Sequence, residues 1–258
     1  MRQAKHSEWH KQWEMFRDDE LFLFKEWIFP NTLEDFRGKE VLEGGCGGGQ
    51  HTFFVAPYVK SIVAVDLNTI DIARKRNLSQ SNLEFIEDDI MSMDLARSFD
   101  VVFSIGVIHH TDDPAKTFQN LKQHLRAGGK LIVWVYSQEG NFLVKHIVEP
   151  VRKLLLCQMH KKALFWFAEA LTFLMYIPVY SIYLLPLKFL PYYTYFGNFR
   201  KLSFYRNCLN VFDKLNAPQV TFITKKMISD WFNSSDFRDV HIDSYKGVSW
   251  RASGIKNG

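Results

Sequence analysis

The stretch VLEGGCGGG at 41–49 is an apolar run that passes into five glycines within six positions. Glycine there lets the backbone turn tightly and approach a ligand closely, just where the next helix begins. Such a turn after a first strand predicts a nucleotide-like ligand. The dinucleotide pattern GxGxxG fails, because counting from Gly45 gives Gly47 and then Gln50, and NAD is disfavoured. No Gly-Lys-Ser/Thr follows, so a P-loop fails too. Asp66 in SIVAVDLN stands 21 positions after Gly45, where a carboxylate can accept both hydroxyls of a ribose at the spacing of an adenosine-type ligand. Asp88 and Asp89 close EFIEDDI, where a carboxylate can accept from an adenine amino group. Taken singly, Asp66 reads more readily as a helix cap or turn residue, whereas for Asp88 or Asp89 a solvated acidic turn is an equal alternative.

The elements that must position these residues are short apolar runs rich in Val, Ile and Phe: EVLEGG, SIVAVDL, NLEFIE, FDVVFSI and GKLIVWVY. Helix-like stretches lie between them at 50–58, 69–79 and 114–125. Strands alternating with helices predict a parallel sheet of right-handed βαβ units. Ser104, Ile105 and Gly106 end the fourth strand, and LRAGG turns into the fifth. In the tail, Thr224 can cap a helix KKMISDWFN. FRDVHIDSY and GVSWRAS follow as an antiparallel hairpin on the sheet edge, turning near Lys246 and Gly247. Before the first strand, Trp9, Trp13, Phe16, Leu21, Phe24 and Ile28 recur at helical spacing until Pro30 and Asn31 stop the pattern.

A chain of 258 residues with 47% hydrophobic composition can bury one substantial core, which excludes a disordered or fibrous protein. Lys plus Arg at 32 against Asp plus Glu at 28 gives +4 without a dense basic tract, and the expectation is no nucleic-acid partner. Cys46, Cys157 and Cys208 are far apart and form no CxxC pair, so they read as reduced thiols and no metal site is expected. The N-terminal residues lack the apolar core of a secretory signal, and a cytoplasmic location is expected.

The aromatic content, 16%, concentrates in ALFWFAEALTFLMYIPVYSIYLLPLKFLPYYTYF, inside a helical insertion at 141–218. Ala170 to Leu187 carry no formal charge, long enough for a membrane span, yet Pro178, Pro186 and Pro191 interrupt the run. The favoured expectation is a buried helical cover over the sheet that shapes the acceptor pocket. A peripheral membrane contact through 163–195 ranks second, with six tyrosines as an interfacial belt and Arg152, Lys153, Lys161 and Lys162 facing headgroups.

Taken in order, these motifs resemble class I S-adenosylmethionine-dependent methyltransferases, of the type acting on small molecules. VLEGGCGGG looks like their first motif, VDLN their ribose motif and EDDI their adenine motif. FDVVFSIGVIHHTDDP resembles the fourth motif and LRAGG the L-K-P-G-G turn, together covering roughly 38–137. The resemblance implies an α/β fold: a doubly wound, mostly parallel seven-stranded Rossmann-like sheet with an antiparallel C-terminal edge. It divides the chain into 1–37, the cofactor-binding core 38–140, the insertion 141–218 and the rest of the sheet at 219–258. It implies S-adenosyl-L-methionine as cofactor. Gly45, Gly47 and Gly49 would pass behind the methionine part, Glu43 would hold its ammonium, and Asp66 with Leu67 the ribose. Asp89, with Ile90, would face the adenine, and Ser104 joins the cofactor set. Departures are Glu43 where Asp is commoner, Gly48 for Thr or Ser, and Ala127 for Pro.

A sulfonium makes its methyl carbon electrophilic, so the protein mainly aligns a nucleophile and excludes water. His109 and His110 follow the fourth strand on the side where the methyl group would lie and are the candidate bases, with a purely structural role for one or both as the alternative. The fourth motif lacks the N/D-P-P-Y of amino-group methyltransferases, which argues against DNA or protein amide substrates. A hydroxyl on a bulky apolar or lipid-linked small molecule is the expected acceptor. The alternatives are a SAM-binding or membrane-associated protein without turnover and a nucleotide-sugar or NAD enzyme.

Overall fold

Val- and Ile-rich runs form seven strands: β1 (Glu40–Gly44), β2 (Ser61–Asp66), β3 (Leu83–Glu87), β4 (Phe99–Ile105), β5 (Leu125–Tyr136), β6 (Phe237–Tyr245) and β7 (Ser249–Lys256). They make one sheet in the order β3-β2-β1-β4-β5-β7-β6. In this computed structural model, residues 20–156, 159–217 and 219–258 are described. The expected helical positions Trp9, Trp13 and Phe16, and Cys157, lie outside them. The helices are α1 (Leu21–Ile28), α2 (Gln50–Val55), α3 (Ile70–Arg76), α4 (Pro114–Gln123), α5 (Glu149–Leu154), α6 (Lys161–Val179), α7 (Tyr193–Phe199), α8 (Phe204–Asn216) and α9 (Lys225–Trp231).

Strands β1 to β5 pair in parallel, with Leu42 opposite Val63 and Glu43 opposite Phe103. The connection from β6 to β7 spans only 246–248, too short for a parallel crossover, so β7 runs against β6. This is the mostly parallel, doubly wound sheet with antiparallel C-terminal strands that the alternating pattern predicts. Side chains alternate across it. Val41, Val101 and Phe103 face a core shared with Phe24 and Ile28 of α1, while Leu42, Val102 and Leu131 face one shared with Phe118 and Trp231. The strand order reverses between β1 and β4, which opens a crevice beyond their carboxyl ends, the place where such sheets bind ligands.

The described chain divides into two compact units. The sheet unit contains residues 20–136, 219–245 and 250–258, and a helical unit contains 137–156, 159–217 and 246–249. In the helical unit Leu164, Ala168 and Val179 of α6 pack with Val211, Phe212 and Leu215 of α8. Asn207 Nδ2 donates to the Tyr176 hydroxyl at 2.9 Å and to the Phe199 carbonyl at 2.7 Å. The uncharged run does not make one long helix: α6 stops one residue after Pro178, and Pro186 and Pro191 lie in the turns that follow. The expected burial of this segment also fails, since Trp166 is 71% exposed and Phe173 66%. The neighbouring helices cover one face of α6 only.

Candidate active site

The first βα turn is built on backbone that only glycine adopts easily. Gly45, Gly47 and Gly49 have φ of +82°, +51° and +72°. A Cβ at Gly45 would sit 2.4 Å from a Val107 methyl, and one at Gly49 would sit 2.9 Å from the Ala73 Cα. The amides of Gly45 and Cys46 both donate to the Val65 carbonyl, at 2.8 and 3.0 Å. Gly47 N–H donates to Asp66 Oδ2 at 2.9 Å. The Thr69 hydroxyl lies 2.7 Å from both Asp66 Oδ1 and the Gly47 carbonyl. Asn77 Nδ2 donates to the Gly49 and Ala73 carbonyls, each at 2.9 Å. Asp66 therefore ties the glycine loop to the end of β2; its Oδ1 also accepts from the Asn68 amide at 3.3 Å, and Oδ2 keeps a lone pair for a ribose hydroxyl. Leu67 follows it at the surface.

Glu43, one residue before the glycines, is 1% exposed. Its Oε2 accepts from the Thr52 hydroxyl at 2.5 Å, whereas Oε1 is buried without a hydrogen-bond partner, 3.7 Å from His51 Nδ1. Burial, reinforced by the charge of Asp66, pushes the carboxyl up to about 8 against the pull of the Thr52 bond. A buried carboxyl with an unsatisfied oxygen beside a loop that a Cβ would fill suits a cationic ligand, and the ammonium of S-adenosylmethionine fits that chemistry. Ser104 is fully buried and donates to the Gly44 carbonyl at 2.7 Å, so its hydroxyl is used in holding β4 to the end of β1. Asp89 accepts from the Met91 amide at 2.9 Å and Ile90 is buried beside it.

The adjacent histidines occupy a short 3-10 turn after β4. His109 is fully buried, neither ring nitrogen has a hydrogen-bond partner, and burial holds its pKa well below the ordinary value, so the ring is neutral. His110 is half-buried and its Nδ1 lies 2.7 Å from the Gln219 carbonyl. That oxygen only accepts, so Nδ1 carries the hydrogen and the neutral ring has its lone pair on Nε2. Aromatic rings surround the pair. His109 lies 4.3 Å from the Tyr136 ring and 6.3 Å from Trp134, and Trp134 packs 4.9 Å from Trp27 of α1. His51 stacks on Phe24 at 5.0 Å and meets the edge of Trp27. Trp27, Trp134 and Tyr136 are half-buried, and Trp134 Nε1 is buried without a partner. Beyond the carboxyl ends of β4 and β5 the sheet thus presents an aromatic wall with unsatisfied polar atoms.

Residues 42–133 match the family model described as a methyltransferase domain. The magnesium protoporphyrin IX methyltransferase of Synechocystis PCC 6803, solved with bound SAH, superposes over 100% of both chains at a TM-score of 0.56 and 10% identity. The N-methyltransferase NodS from Bradyrhizobium japonicum WM9, also with SAH, covers 97% of this chain and 99% of its own, with a TM-score of 0.52 and 12% identity. Residues 42–133 are thus a methyltransferase domain, and the chain has the fold of class I S-adenosylmethionine-dependent methyltransferases. The buried Glu43 carboxyl and the glycine turn fit S-adenosylmethionine as the cofactor of such a domain.

A further relative is the tRNA U34 carboxymethyltransferase of Idiomarina loihiensis, 29% identical over 143 residues, which are 52% of this chain and 41% of the relative. The chain therefore spans about two fifths of the length of that relative. The relatives of this name overturn two expectations for the methyltransferase, the small-molecule or lipid-linked acceptor and the exclusion of nucleic acid. Net charge misleads here because it averages over uneven parts. Residues 137–218 hold ten Lys or Arg and four Asp or Glu, +6, so the remainder of the +4 chain carries −2.

Thr52, Thr69 and Asn77, which brace Glu43 and the loop, are missed by sequence reasoning, as are Trp27, Trp134 and Tyr136. The signal for Thr52 is its place in the first turn of α2, over the end of β1. Trp134 and Tyr136 lie in LIVWVY, a run that reads as buried strand, and only their positions at its carboxyl end set them apart.

Proposed function

We propose that the chain transfers a methyl group from S-adenosylmethionine to a nucleobase of tRNA, in the cytoplasm, with the uridine named by its relatives as the first acceptor to test. The observation that carries this reading is the half-buried aromatic wall of Trp27, Trp134 and Tyr136 beside the glycine loop. Flat rings suit stacking against an unpaired base, as single-stranded RNA is commonly bound.

In this reading Glu43 holds the cofactor's ammonium, Asp66 with Leu67 its ribose, and Asp89 with Ile90 its adenine. Gly45, Gly47 and Gly49 give it room, and Ser104 fixes the loop's base. When bound, the cofactor supplies an electrophilic methyl carbon. The chain's own contribution is to orient the acceptor on the aromatic wall, exclude water there, and receive a proton at His110 Nε2, whose tautomer the Gln219 carbonyl sets. The test is incubation with methyl-labelled S-adenosylmethionine and total tRNA, followed by nuclease digestion and mass spectrometry of the nucleosides. Label in a modified uridine is expected. Cofactor binding without label in any tRNA nucleoside would overturn the assignment.

A further inference from the structure

Helix α6 has two faces of different chemistry. Leu164, Ala168, Thr172 and Val179 are buried within the helical unit. On the other side Trp166, Phe167, Phe173, Leu174 and Ile177 are 71%, 45%, 66%, 59% and 63% exposed. Positions 166, 170, 173 and 177 follow one another at helical spacing, so these side chains form a continuous apolar stripe, with half-buried Glu169 on its edge. The apolar surface continues past the helix through Tyr180, Ile182, Leu185 and Phe189. Monomeric proteins rarely leave so large an apolar area in water.

The charges around the stripe identify what covers it. Lys162 precedes it, and Lys188 and Lys201 follow the apolar run; all three are exposed. The segment 137–218 carries +6 in a chain of +4. An aliphatic and aromatic stripe flanked by cations and tyrosines is the pattern of a helix lying in an anionic lipid interface. RNA offers phosphates for the lysines but nothing for Leu174 and Ile177.

Length alone would let α6 span a bilayer, since it has 19 residues and a mean hydropathy of 1.3. Its buried face argues otherwise. That face packs on α8, which carries Arg206, Asn210, Asp213 and Lys214, and a spanning α6 would draw these groups toward hydrocarbon. We infer that α6 docks in the plane of an anionic membrane surface, with the 166–177 stripe below the headgroups and Lys162, Lys188 and Lys201 at the phosphates. This goes beyond the tRNA reading and needs neither cofactor nor acceptor.

The experiment is flotation of the full chain with vesicles of phosphatidylcholine, with and without phosphatidylglycerol. The chain is expected to float with the anionic vesicles, and W166E/F173E/I177E to lose about tenfold or more of that partition while keeping its circular dichroism and S-adenosylmethionine affinity. Brominated lipid should quench fluorescence that W166F lacks, a readout independent of the triple variant's folding. An unmodified chain that stays unbound, or a dimer that the triple substitution turns into monomer, would overturn the inference, the latter by making the stripe a self-interface. Loss of tRNA methylation with vesicle binding intact would count against the proposed reaction alone.

Discussion

In the proposed site, Glu43 is where pH reaches the cofactor. Its carboxyl is pushed up to about 8 in the folded chain, against 4.5 ordinarily. Between those values the folded state holds a proton that the unfolded state has released, so this group makes stability fall as pH rises through that window. An ammonium placed beside it favours the carboxylate, and binding therefore expels the proton. The affinity for S-adenosylmethionine should rise from about pH 6 to about pH 7.5, by up to roughly tenfold per unit. Calorimetry at several pH values measures this, and Glu43→Gln should flatten the profile and weaken binding. A flat profile in the unaltered chain would remove Glu43 from the ammonium site. The histidines divide differently. His110→Gln should lower kcat by about 100-fold with cofactor affinity unchanged, the usual loss of a general base. His109→Phe keeps the packing on Tyr136 and should raise KM while kcat stays within a few-fold. Steady-state kinetics with tRNA separates the two, and a reversed pattern would exchange their roles. The loop glycines and Asp66 are legible in the sequence because their chemistry needs fixed spacing along the chain. Trp27 and Trp134 meet only through the fold, 107 positions apart, and no local pattern marks that.

Helices and strands show where local signals suffice and where they stop. Thr224 reads as a cap, and its hydroxyl accepts from the Met227 amide at 3.1 Å at the start of α9. Thr224→Ala should destabilise the chain by about 1 kcal/mol in urea unfolding, without changing cofactor affinity. An unchanged midpoint would mean that packing of Ile228 and Trp231 alone fixes the helix. Helix ends carry weaker local signals. The expected 50–58 closes at Val55: Ala56 keeps helical backbone, but Pro57 has no N–H with which to continue the ladder. The expected 69–79 closes at Arg76, where the Asn77 side chain turns to the Gly49 and Ala73 carbonyls. Hydrophobic periodicity carries no record of such a tertiary bond. The same limit applies to α6: composition shows that its residues are apolar, but only the packing partner shows which face stays bare.

Over the whole molecule, charge is separated along the chain, and the mild total conceals it. The 82 residues of 137–218 carry +6 and the remaining 176 carry −2. An anionic surface should therefore meet the helical segment first, and added salt should weaken that attraction, since the Debye length is about 8 Å at physiological ionic strength. Each lysine near an anionic bilayer contributes about 1 kcal/mol, so reversing Lys162, Lys188 and Lys201 together should cost far more partition than neutral vesicles reveal. The expected outcome for K162E/K188E/K201E is a loss of about tenfold or more on vesicles containing phosphatidylglycerol and little change on phosphatidylcholine alone. Its salt dependence should be flatter than that of the unaltered chain. Cofactor affinity should not move, because these lysines are distant in sequence from Glu43, Asp66 and the glycine loop and belong to the other compact unit. If the charge reversals instead leave vesicle binding intact and abolish tRNA binding, the positive charge of the segment serves the acceptor, and the bare face of α6 must be held by the hydrophobic effect alone.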